Sequence, residues 1–169
     1  MNPWLSEDWQ EYFSGKDNIQ KGIYLRIEKN VNDDVKKSLK KFAKWLRKNY
    51  KFPIMLPIYV KATDYVKTKD GDYVVGSFFE PNDYFTEPYI KISTGDYEDL
   101  LNEIGKDNAL ASFIYTLSHE ITHYYQWINR VEKSVDDREI EADYYGDYIL
   151  QQYADCVELP QWTTYKYSD

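Results

Sequence analysis

Histidine and cysteine are scarce in this 169-residue chain, which has two of the first and one of the second. The lone Cys156 has no partner for an internal disulfide, which fits a reducing compartment; the expected location is the cytoplasm. No apolar run approaches the roughly 20 residues that span a bilayer. The opening Met-Asn-Pro-Trp is not followed by a basic and then an apolar stretch, so no secretory leader is predicted. Repeats, low-complexity segments and long linkers are also missing, and the length suits one domain covering 1–169.

Aromatic residues, in contrast, are abundant, with eighteen Tyr and five Trp. The net charge is −8 and unevenly spread. Residues 36–51 hold eight of the twenty-one basic residues and no acid. The remainder has thirteen basic against twenty-nine acidic residues, a net charge of −16. Nucleic-acid binding is therefore not expected, except through the basic helix 36–51. Such a run is ordinarily the wet face of an amphipathic helix.

Hydrophobic spacing divides the chain. Residues 1–30 form an aromatic N-terminal segment in which Trp4, Trp9, Tyr12 and Phe13 suggest a short docked helix. Asn32 or Asp33 can cap a helix running to about 49, with Val35, Leu39, Phe42 and Leu46 as one stripe. Alternation then predicts strands over 54–66, 73–79 and 89–93, with a turn at Asp70-Gly71-Asp72. A short helix is expected around 97–104. Asp107 or Asn108 can cap a helix over 108–129, and Ser134-Val135-Asp136-Asp137 resembles a capping box before a helix over 135–154. A tail, 155–169, follows. The expected class is α+β, with a small, mostly antiparallel sheet packed on two helices joined by a short connection.

The two histidines fall in the first of those helices, in Ser118-His119-Glu120-Ile121-Thr122-His123. Residues four apart stack on one helix face, so both imidazoles can reach one tetrahedral Zn²⁺. Glu120, directly after the first, projects beside the metal and can move a proton there. This is the H-E-x-x-H pattern of zinc peptidases.

With no other histidine, a carboxylate is left as third ligand. The second helix supplies Arg138-Glu139-Ile140-Glu141-Ala142-Asp143-Tyr144-Tyr145-Gly146. Glu139 and Asp143, four apart, share a face: Glu139 can ligate, and Asp143 can accept a hydrogen bond from a ligating imidazole. Glu141 and Glu132 are alternative ligands. The bland alternative for Glu139 and Asp143 is that they are solvated acids on an acidic surface helix.

H-E-x-x-H followed shortly by E-x-x-A-D resembles the gluzincin metallopeptidases. Within them, Thr-Leu-Ser-His-Glu-Ile-Thr-His with a later E-x-E-A-D-x-Tyr-Gly is similar to the compact ImmA/IrrE type. The resemblance is strongest over 110–150. Ile121 and Thr122 replace the usual Leu-Gly, a departure that bears on the subfamily. It implies a minimal zincin-like fold, Zn²⁺ on His119, His123 and Glu139, and Glu120 as general base.

The expected activity is a zinc metalloendopeptidase acting on a protein or peptide, with Glu120 assisting attack by zinc-bound water. Tyr124, Tyr125, Tyr145, Tyr148 and Arg138 are the candidates for stabilising an oxyanion. Strand 89–93 is the expected edge on which an extended substrate pairs. A catalytically silent zinc-binding module and a zinc hydrolase of non-peptide bonds are the alternatives.

Overall fold

The computed structural model describes residues 1–13 and 22–157. The chain starts with a short helix, α1 (Gln10–Phe13), then strand β1 (Ile23–Ile27), helix α2 (Asp33–Asn49) and strand β2 (Leu56–Lys61). A small hairpin, β3 (Val66–Lys67) and β4 (Tyr73–Val74), leads into β5 (Gly76–Phe79) and β6 (Tyr89–Ser93). Three helices close the fold: α3 (Tyr97–Ile104), α4 (Lys106–Ile128) and α5 (Val135–Val157). The molecule is thus mixed α and β with one small main sheet.

Helix α2 follows directly from its sequence. Asn32 caps it by accepting a hydrogen bond from the Asp34 N–H at 2.8 Å. Val35, Leu39, Phe42 and Leu46, the expected stripe, are all fully buried. Each contributes about 1.5–3 kcal/mol by leaving water. Lys37, Lys40, Lys41 and Lys44 lie off that stripe.

The main sheet has the order β1-β2-β6-β5. β1 pairs with β2 and β2 with β6 in parallel; only β5 and β6 are antiparallel. The mostly antiparallel sheet expected from the sequence is therefore incorrect. Part of the cause is β1, which lies in the segment read as aromatic and aperiodic; the other is that β2 and β6, separated in sequence by the β3–β4 hairpin and β5, also pair in parallel. With β1 present, β1–α2–β2 is a strand–helix–strand crossover, which brings the second strand back parallel to the first. Ile23, Ile58, Val60, Ile90 and Ile92 form the sheet's buried side, against the helices.

Two expected strands also divide. Residues 54–66 yield β2 and, after a break, β3. Residues 73–79 change partners at Val75, so that β4 pairs with β3 and β5 with β6. The Val75 carbonyl accepts from Ser93 N–H at 2.9 Å.

Helix α4 starts earlier than expected, after Gly105, whose φ of +84° lets the chain turn out of α3. Helix α5 runs on to Val157, so Cys156 sits in its exposed last turn rather than in a tail. Ser134 caps α5, its Oγ accepting from Asp137 N–H at 3.1 Å. The rest of the expected tail, 158–169, and the side chains of Tyr12 and Phe13 lie outside the described residues.

The expected docked helix shrinks to α1, leaving Trp4 and Trp9 outside it. Trp4 docks all the same, 3% exposed and donating its indole N–H to Thr122 Oγ1 on α4 at 2.9 Å. Among the described residues no helix is long and apolar enough to cross a membrane.

Candidate metal centre

Helices α4 and α5 are joined only by residues 129–134, so they return side by side. Gly146 permits this at the site's level: a Cβ there would lie 3.0 Å from the Tyr115 ring and 3.4 Å from His119 Cβ. On α4, Tyr115, His119 and His123 are successive i, i+4 positions and face α5.

The structure brings His119, His123 and Glu139 to one point. His119 Nε2 lies 3.2 Å from one Glu139 oxygen, and His123 Nε2 lies 3.1 Å from the other. One donor atom from each of the three falls within 4.8 Å of the others. Zinc at about 2.0–2.1 Å from each donor would separate tetrahedral ligands by about 3.4 Å, close to the two histidine–Glu139 distances.

The hydrogen bonding fits a cation as well. His119 Nδ1 lies 3.0 Å from Asp143 Oδ1, an oxygen that also accepts from Tyr115 O–H at 3.1 Å. A carboxylate accepts, so the imidazole proton is assigned to Nδ1 and the Nε2 lone pair is left facing Glu139. Burial, then the neighbouring His123, holds the His119 imidazole below its ordinary pKa, against the pull of Glu139 and Asp143. A neutral imidazole lone pair against a carboxylate oxygen is repulsive; a cation between them reverses the sign.

Glu120 lies beside this group, its Oε1 3.9 Å from His119 Nε2. It is 7% exposed, packed under β5. Burial, and then the charge of Glu139, raises its pKa to about 8.

The other expected residues part company. Glu141 joins neither histidine; it takes Gln126 Nε2 at 2.9 Å and Lys133 Nζ at 2.5 Å. Glu132, in the connection, is not among the converging donors. Tyr124 is buried and bonds the Ile54 N–H and carbonyl, while Tyr125 O–H donates to the Lys51 carbonyl. These two tyrosines anchor α4 on the side away from the histidines. Tyr145 and Tyr148 do not line the groove either, whereas Arg138 does.

That groove, about 510 Å³, has α4 as its floor, with Tyr115, Thr116, His119, Glu120 and His123. Helix α5 forms one wall through Val135, Arg138, Glu139 and Asp143; residues 74–78 and Glu80 form the other. Arg138 Nη1 reaches Glu80 Oε1 across it at 3.2 Å. The edge strand is thus β5, not 89–93: β6 lies inside the sheet, covered by β5 itself.

Sequence reasoning missed Gln126, Tyr115 and Gly76. Tyr115 carried a signal, since it stands one turn before His119 on the same face. Gln126 carried one too, three residues after His123 on the same helix; Gly76 carried none that is local.

Comparison with protein-family models, with characterised proteins and with solved structures finds no match to this chain.

Proposed function

We propose that this chain is a zinc-dependent metallopeptidase that hydrolyses peptide bonds of a protein substrate. The observation that carries the reading is the convergence of His119, His123 and Glu139 beside the buried Glu120, on the floor of an open groove. The resemblance of H-E-x-x-H and the later E-x-x-A-D to gluzincins supports the same reading, and with it a zincin-like assignment for the fold. The single Cys156, with no partner in this sequence for a disulfide, supports a reducing, cytoplasmic site of action.

Zn²⁺ held by His119, His123 and Glu139 would supply Lewis acidity, polarising a carbonyl and acidifying a water. Glu120 moves the protons. Its carboxylate takes one from the attacking water and returns it to the leaving amine nitrogen. In the metal-free protein burial favours the protonated carboxyl; a cation held by His119, His123 and Glu139 would favour the carboxylate that accepts the water's proton. Arg138 lines the groove and is the one expected oxyanion donor facing it; its guanidinium offers N–H groups to a developing negative charge.

Strand β5 favours a peptide over a compact ligand. Val75 and Ser93 are hydrogen-bonded partners, so in the antiparallel ladder Ser77 turns towards β6 as well. Gly76 and Phe78 consequently direct their N–H and carbonyl groups to the open side, where an extended chain can pair with them.

Zinc analysis with digestion of an unstructured protein tests the reading. Wild type should bind one equivalent and cleave. Glu120→Gln should bind zinc as tightly and lose cleavage by several orders of magnitude. Equal cleavage by zinc-loaded Glu120→Gln would overturn the mechanism.

A further inference from the structure

The two imidazoles are held differently on their outer nitrogens. His119 Nδ1 meets the Asp143 carboxylate, but His123 Nδ1 meets a neutral amide, Gln126 Oε1, at 2.8 Å. An amide is ambiguous on its own, because either end could face the ring. Here its far end decides. Gln126 Nε2 lies 3.0 Å from the Arg138 carbonyl and 2.9 Å from Glu141 Oε1. Both are acceptors, so the amide nitrogen must face them and the amide oxygen must face His123. His123 Nδ1 then carries the proton. Gln126 is 2% exposed, so little water competes for these bonds. The second Glu141 oxygen is taken by Lys133 Nζ, which stands in the connection between α4 and α5.

We propose that Gln126, oriented by Glu141 and Lys133, is a positioning residue that fixes His123 as its Nδ1–H tautomer and aims its Nε2 lone pair at Glu139. The metal consequence rests on reading His119, His123 and Glu139 as a metal centre; it does not depend on turnover. Without the amide acceptor, His123 gains by placing its proton on Nε2 and donating it to Glu139. That form blocks the metal-facing nitrogen, so a cation must first displace the proton.

Because the chain has only two histidines, the nitrogen-15 spectrum of its imidazoles reads the tautomer directly. In chelator-treated wild type, His123 should appear as the Nδ1–H form. Gln126→Met, which keeps the volume and removes the amide, should move His123 towards Nε2–H and leave His119 unchanged. Its zinc Kd, measured against a chromophoric chelator, should rise by about ten- to a hundredfold. Glu141→Leu, which leaves Gln126 in place but frees its amide to turn, should shift both readouts the same way by less. If Gln126→Met fails to fold, Glu141→Leu carries the test. Retention of the Nδ1–H form and of wild-type affinity in the folded variants would overturn the proposal, as would an Nε2–H His123 in wild type. Wild type that shows the stated tautomer yet binds no zinc would support the relay and sink the metal centre instead.

Discussion

Gly76 of β5 lies directly against Glu120 of α4. A Cβ on Gly76 would fall 3.3 Å from Glu120 Cγ and 2.7 Å from Thr116 Cγ2. The strand edge therefore approaches the proposed base as closely as a backbone without a side chain allows. Gly76→Ala should cut proteolysis by at least about tenfold, because a small displacement of a reacting group is costly. Zinc content should stay at wild-type level. Thr116→Ser removes Cγ2 and keeps the hydroxyl that donates to the Ser112 carbonyl. Combined with Gly76→Ala it should restore much of the activity. A double variant no better than Gly76→Ala would show that the strand, not the contact, had been damaged.

Ligand removal should separate Glu139 from Glu141. His123→Ala and Glu139→Ala should each lose tightly held zinc, since each takes away one of three converging donors. Glu141→Ala should weaken binding without abolishing it, because its carboxylate touches Gln126 and Lys133 rather than the centre. Metal analysis after dialysis reads all three. A full equivalent retained by Glu139→Ala would move the third ligand elsewhere.

Asp143→Ala should raise the zinc Kd by about ten- to a hundredfold, the usual scale for losing a carboxylate behind a ligating imidazole. Tyr115→Phe should do the same more weakly, since it removes only one of the two donors to Asp143 Oδ1. Titration against a competing chelator measures both. Unchanged affinity in Asp143→Ala would reduce Asp143 to a surface acid.

Burial of Glu120 makes stability depend on pH in the chelator-treated protein. Its folded pKa, about 8, lies above the ordinary value of 4.5, so the folded state holds a proton that the unfolded chain releases. Below 4.5 this group costs nothing; as pH rises towards 8 it destabilises the fold. At pH 7 the cost is about 3 kcal/mol. Glu120→Gln should therefore raise the Tm at pH 7 and lose its advantage near pH 4. Thermal denaturation at the two values checks this, and an advantage independent of pH would assign it to something other than the charge.

The short-range geometry was legible in the sequence because it depends on helical period alone. Two histidines four apart on α4, and Glu139 and Asp143 four apart on α5, had to share faces wherever those helices packed. The stripe of α2 was legible for the same reason. Strand β1 was not, although Ile23, Leu25 and Ile27 alternate. Five residues next to an aperiodic stretch are a weak signal, and their direction is set by pairing with β2, some thirty residues on.

What the sequence determined by itself was that His119 and His123 share one helix face and Glu139 and Asp143 another, since side-chain direction on a helix follows from position; which carboxylate meets the histidines was decided by the packing of α4 on α5. Only the tertiary structure decided what surrounds these residues. It placed β5 rather than β6 on the groove, because β5 ends the sheet. It turned Tyr124 and Tyr125 to Ile54 and Lys51, because their phenols needed buried partners. It set Gln126 between His123 and Glu141, fifteen residues further along the chain. Apart from the i, i+3 step from His123 to Gln126, those choices rest on contacts between distant segments, and no local period records them.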